Sequence, residues 1–277
     1  MRQLAASLVS GLFRSARLRR LLVRQVKQHH FRELGLRLPI GHGLHCPLHT
    51  HENVASFSEI FCQQEYAGLW EHIAPPARWL DLGAHAGYFT LSVAARHAQA
   101  GTAATWRAVL VEPDPRMREV IASGLELNRL GAQAQVLTGL VGSGPPLTRF
   151  ALREGMLSSS VDLWGGKLID VPRIDEATLL AALPPPYDLV KIDIEGSEYD
   201  FVRAYPTICA SARTCVIEWH APTADAPALA ELVRTLHTHG LTRRITLRPG
   251  ARCLTHGPRS FSGLDLFLRA DARRPAS

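Results

Sequence analysis

Along the chain, short apolar runs alternate with stretches in which apolar residues recur every three to four positions. Residues 78–82, 104–111, 135–141, 188–194, 214–219, 241–247 and 264–269 read as strands, and 188–194 is apolar enough to be buried on both faces. Helical spacing fills 87–97, 115–130, 175–183 and 226–240, and a further helix is expected over 58–73, ended by Pro75 and Pro76. An edge hairpin is expected near 148–152. Strands alternating with helices in this way predict an α/β fold: a seven-stranded, mostly parallel, Rossmann-like sheet with helices on both faces.

The first 57 residues lack this alternation. Leu4, Leu8, Leu12, Leu22 and Val26 fall on one side of a helical wheel and Arg14, Arg17, Arg20, Arg24 and Lys27 on the other, which predicts an amphipathic basic helix. Three readings of it stand: docking on its own domain or on a second copy, peripheral contact with an anionic membrane, or an organelle transit peptide. Up to residue 40 nine basic residues face the single acid Glu33, +8 of a whole-chain +6, which leaves −2 for the rest. A basic nucleic-acid channel in the body is therefore not expected, and no nucleic-acid partner is assigned. Five cysteines, an odd number without a CxxC pair, suit a reducing, cytoplasmic setting. No run approaches the ~18 apolar residues of a membrane span. The expected organisation is a basic arm and His-rich lead-in over 1–57, a catalytic domain over 58–270 and a frayed tail over 271–277.

Chemistry concentrates at strand ends. The segment RWLDLGAHAGYFT, 78–90, is a strand, an acid, a turn with Gly83 and Gly87, then a helix. Glycines at such a turn let backbone approach a ligand, and a helix N-terminus follows it, which points to a nucleotide-like ligand. GAHAG has only the outer glycines of a dinucleotide fingerprint, which counts against NAD or FAD. Asp81 would repel a pyrophosphate and suits a cationic end such as the amino group of S-adenosylmethionine. The next strand ends in Glu112, 31 residues on, placed to accept from ribose hydroxyls. DLVKIDIEGSEY brings Asp193, Glu195 and Glu198 to a third strand end, and TCVIEWH brings Glu218 and His220 to a fourth.

In this order DLGAHAGYFTL, VEPDP, KIDIEGSE and IEWH, with the lead-in SEIFCQQEY, resemble the FkbM family of S-adenosylmethionine-dependent methyltransferases over residues 58–269. The resemblance implies a class I methyltransferase fold, S-adenosylmethionine as cofactor, and methyl transfer to a hydroxyl of a sugar, glycan or small natural product. It implies cofactor contacts at Asp81, Gly83, Ala84, His85, Gly87 and Glu112, with His85 where asparagine is more usual, and an acidic signature at Asp193, Glu195 and Glu198. The catalytic candidates are thus Asp193, Glu195 and His220. His220 is expected as general base, with Asp193 orienting the acceptor. No metal ligand is assigned, although Asp193 with Glu218 holding a divalent ion stands as an alternative. N-methyl transfer and a catalytically silent binding subunit remain the rival functions.

Other signals are weaker. His42, His45, Cys46, His49 and His51 form one cluster, where structural zinc usually shows a second pair of ligands. Pro185–Pro186–Tyr187 precedes its strand, unlike a base-stacking motif, and reads as a rigid loop. Ser158, Ser159 and Ser160 lack the GxSxG elbow of a hydrolase and read as loop residues near the acceptor.

Overall fold

The computed structural model describes residues 31–102, 105–152, 167–221, 227–253 and 260–270. The amphipathic helix expected over 2–27, Ser158–Ser160 and the 271–277 tail lie outside the described residues. The described chain starts with an antiparallel hairpin, β1 (Leu36–Gly41) and β2 (Leu44–Leu48). The hairpin sends Cys46 and Leu48 into the core and places His42 in its exposed turn, so the His-rich stretch is half strand.

Thr50 then opens α1 (His51–Phe57): its hydroxyl accepts from the Asn53 N–H while the Asn53 side chain accepts from Thr50 N–H, a reciprocal cap. α1 runs into a π-helical turn, Ser58–Cys62, and stops at Gln64, whose φ is +54°. The helix expected over 58–73 is therefore displaced toward the N-terminus, because a polar cap starts it earlier. A left-handed residue ends it so that Tyr66 and Leu69 can be buried, Tyr66 edge-on to Phe89 at 4.8 Å between ring centroids.

The central sheet is built from β3 (Arg78–Leu82), α2 (Tyr88–Gln99), β4 (Arg107–Glu112), α3 (Pro115–Leu127) and β5 (Ala134–Thr138). A separate hairpin follows, β6 (Leu147–Leu152) with β7 (Lys167–Pro172), then α4 (Glu176–Ala182), β8 (Leu189–Ile192), α5 (Glu198–Ala204) and α6 (Pro206–Ser211). β9 (Thr214–Ala221), α7 (Pro227–Thr238), β10 (Arg243–Cys253) and β11 (Ser260–Leu268) complete it. The sheet order is β10-β11-β9-β8-β3-β4-β5, seven strands in which only β11 runs against its neighbours. This is the class I methyltransferase architecture expected from the sequence.

The pleat divides the core into two layers. Leu80 and Leu82 of β3 face a cluster with Val109, Ile192 and Phe201, while Trp79 faces the other side with Leu91, Leu110 and Leu189. Cys46 and Leu48 belong to the second layer, Tyr88 Oη donates to Pro47 O, and Asn128 bonds His45 in both directions. The hairpin and this second layer thus pack together. Among the described residues no helix is long and apolar enough to cross a membrane.

Candidate functional site

The register pairs Leu82 with Val111 and with Ile192, and Ile192 with Ile217, so β3, β4, β8 and β9 end at one level. Their carboxyl ends open on a cavity of about 450 Å³, within the range of small-molecule sites, on the side where open parallel sheets bind ligands. Gly83, Ala84, His85, Glu112, Asp193, Glu195 and His220 all line it. Asp81 does not.

The β3 turn explains both facts. Gly83 has φ +72°, and a Cβ there would sit 1.7 Å from the Asp193 carbonyl oxygen, so only glycine lets the two strand ends meet. Gly83 and Ala84 N–H donate to Val111 O, and His85 N–H donates to Glu112 Oε2 at 2.8 Å. The turn therefore fixes a carboxylate in place rather than cradling an anion. Gly87, φ +75°, lies against Ile121 and Leu110 and serves close packing. Alternation along β3 turns Asp81 to the α2 side, where it is fully buried, accepting from Thr90 Oγ1 at 2.8 Å and lying 3.3 Å from Lys191 Nζ. Asp81 is thus held behind Lys191 and does not reach the cavity.

Lys191 connects the two halves. Its Nζ donates to Gly83 O at 2.9 Å and lies 3.4 Å from Asp193 Oδ2. Burial alone would lower its pKa, but Asp81 and Asp193 together hold it above the usual lysine value. Glu112 is buried, with Oε1 accepting from Asp114 N–H at 2.9 Å. Burial pushes its pKa from 4.5 up to about 7, against the pull of its two N–H donors. His85 bonds Ser56 through Nδ1 at 3.0 Å, its Nε2 has no hydrogen-bond partner among the described residues, and burial lowers its pKa to about 4, so the ring is neutral.

At the β8 and β9 ends the loop Asp193–Ser197 wraps a second carboxylate. Glu198, fully buried at the start of α5, accepts from Ile194 N–H at 3.2 Å and Gly196 N–H at 3.0 Å through Oε1. The same oxygen is 3.1 Å from His220 Nδ1, while His220 Nε2 is 3.5 Å from Glu195 Oε2. Burial alone would lower the His220 pKa, but Glu198, Glu195 and Asp193 raise it to about 10. One ligating atom each of Asp193, Glu195 and His220 falls within 4.8 Å of the others, the one such grouping among the described residues. The His42–His51 stretch makes none: Cys46 is core and His49 bonds Ser123.

Several wall residues have no role predicted from the sequence. Glu59, Gln63, Glu65 and Tyr66 come from SEIFCQQEY, marked only by its resemblance. Arg248 reaches Glu218 at 2.6 Å and Glu65 at 3.2 Å because β10 continues past its expected end at residue 247, with a bulge between Thr246 and Arg248. Burial first, then Asp193 and Glu65, raises the Glu218 pKa. Tyr187 is buried, donating to Leu183 O at 2.6 Å, away from the cavity.

The model of the methyltransferase FkbM domain matches residues 81–242. No curated protein matches the sequence. Similar solved structures include the cofactor-bound Rv0187 from MTB, 18% identical with TM-score 0.41, covering 75% of this chain and 79% of that one. The precorrin-6y C5,15-methyltransferase of Geobacter metallireducens is 13% identical with TM-score 0.40, covering 73% and 85%. The N-terminal domain of EvdMO1, crystallised in the presence of SAH and D-fucose, is 12% identical with TM-score 0.43, covering 79% and 82%.

Proposed function

We propose that this chain, which belongs to the methyltransferase FkbM family and uses S-adenosylmethionine as its cofactor, is an O-methyltransferase acting on a hydroxyl of a sugar, glycan or small natural product. The residues fit the cofactor: a buried carboxylate, Glu112, is held by two N–H donors at the wall of a cavity of small-molecule size. Glu112 would accept from the ribose hydroxyls, with Gly83, Ala84 and His85 beside it.

When bound, the cofactor supplies a methyl group on a sulfonium sulfur; transfer forms the methyl–oxygen bond, leaves the carbon–sulfur electron pair on sulfur, and releases the hydroxyl proton. The chain itself must align the acceptor oxygen and accept that proton's hydrogen bond. Asp193 suits both requirements, since it is partly exposed to the cavity and its backbone is pinned by donation to Leu82 O at 3.1 Å. His220 has carboxylates beside both ring nitrogens, Glu198 at Nδ1 and Glu195 at Nε2, which favour keeping a proton on the ring, so Asp193 rather than His220 is the group proposed to accept the hydrogen bond of the acceptor hydroxyl.

The observation that carries this reading is the convergence of Glu112 and Asp193, from the β4 and β8 ends, on one cavity. Single-turnover methyl transfer from labelled cofactor to fractionated native extract tests it. Glu112→Ala should raise the cofactor Kd with little change at saturation, and Asp193→Asn should slow transfer about 10²-fold with cofactor affinity kept. An unchanged rate in Asp193→Asn would overturn the assignment.

A further inference from the structure

We propose that Asp193, Glu195 and His220 together bind one divalent metal ion of the Mn²⁺ or Mg²⁺ class, with Glu198 as the positioning residue behind His220. The binding site stands on its own geometry; the use made of the ion rests on the O-methyl reading above.

Two carboxylate oxygens and an imidazole nitrogen within 4.8 Å of one another can share one ion, and a donor set dominated by carboxylates favours hard cations. The three residues come from two strand ends fixed by the sheet, β8 and β9, and all line the cavity. Behind them stands an independent feature. Glu198 has no exposed side-chain surface, one oxygen engaged with His220 Nδ1 at 3.1 Å and the other without a hydrogen-bond partner among the described residues. A buried carboxylate on one imidazole nitrogen fixes the ring and directs its other nitrogen outward, the arrangement that orients metal-ligating histidines. Here the outward nitrogen is Nε2, which faces Glu195, and a bound ion displaces the proton that Glu195 otherwise favours on it.

Charge points the same way. Glu59, Glu65, Glu112, Asp193, Glu195 and Glu218 line the cavity, against Lys191, Arg248 and His220. Lys191 is committed to Asp81 and Asp193, and Arg248 to Glu65 and Glu218. A dication among these acids offsets repulsion that burial would otherwise magnify. With three protein ligands, the ion keeps positions for water or an acceptor hydroxyl, whose proton then leaves more readily to solvent.

Mn²⁺ binding to the full chain, measured by electron paramagnetic resonance without acceptor and with or without S-adenosylhomocysteine, tests the site. Wild type should take up one equivalent that Mg²⁺ displaces. Asp193→Asn and Glu195→Gln, which preserve shape, should each weaken it at least tenfold. Glu198→Gln should weaken it about 10- to 100-fold and be rescued in part by higher Mn²⁺. No uptake by wild type, or equal uptake by wild type and the double variant Asp193→Asn/Glu195→Gln, overturns the site. Because no turnover is read, a failure of the O-methyl assignment leaves these outcomes unaffected. Methyl transfer that persists unchanged after chelation and dialysis would overturn the ion's catalytic use.

Discussion

The carbonyl oxygen of Asp193 occupies the space that any side chain on Gly83 would need, 1.7 Å from where a Cβ would be. Because the obstacle is backbone, it cannot rotate away, and φ +72° adds strain for any L side chain. Gly83→Ala should therefore destabilise the fold by more than about 1 kcal/mol and separate the cofactor and acceptor halves of the site. Thermal denaturation together with cofactor titration checks this: both the midpoint and the affinity should fall. An alanine variant with wild-type values for both would show that the strand ends are not in this contact.

The raised Glu112 pKa gives cofactor binding a pH dependence of definite sign. The ionised carboxylate accepts from ribose hydroxyls, and with a pKa of about 7 it is mostly protonated at pH 6 and mostly ionised at pH 8. Affinity should thus rise about tenfold from pH 6 to pH 8. Stability of the cofactor-free protein moves the other way: a carboxyl whose folded pKa is raised contributes stability below its ordinary 4.5 that is lost as pH rises through about 7. Calorimetry on wild type and Glu112→Gln decides, since the variant should lose the slope.

Asp81 and Lys191 form a buried pair whose loss should be felt in stability first. Asp81→Asn leaves the Lys191 ammonium partly uncompensated and should cost roughly 3–5 kcal/mol, as broken buried pairs do. Replacing both, Asp81→Asn with Lys191→Met, should recover part of it. Urea denaturation of wild type and the two variants measures this; an Asp81→Asn variant as stable as wild type would contradict the pairing.

Much of the site is legible in the sequence because strand ends announce themselves. Each of Glu112, Asp193 and His220 closes an apolar run, and a parallel sheet brings such ends together whatever the loops do. Asp81 also closes a run, but its neighbour across the sheet is Lys191, and the pleat turns both to the α2 side. A linear reading cannot see that pairing. The helix expected over 58–73 lies earlier in the chain because Thr50 and Asn53 cap it from within a stretch that looks like a histidine-rich loop. Arg248 is invisible for a related reason: a bulge carries β10 past the point where its apolar alternation ends.

His220 and Glu198 should be separable by function. Glu198 accepts from two loop N–H groups as well as His220, so Glu198→Gln keeps an acceptor oxygen there while removing the charge on the ring. Transfer at saturating cofactor should fall at least tenfold while cofactor Kd stays within about twofold, a split that loss of folding would not give. Equal loss in both quantities would make Glu198 a purely structural residue.

The proposed function stands on methyl transfer to oxygen. The most direct measurement supplies ¹³C-methyl-labelled S-adenosylmethionine and carbohydrate-rich and small-molecule fractions of native extract, then reads the methyl resonance of the purified product. The expected product is a methyl ether, formed by wild type and about 10²-fold more slowly by Asp193→Asn. A methyl group on nitrogen, or no transfer to any fraction by protein that binds the cofactor, would contradict it.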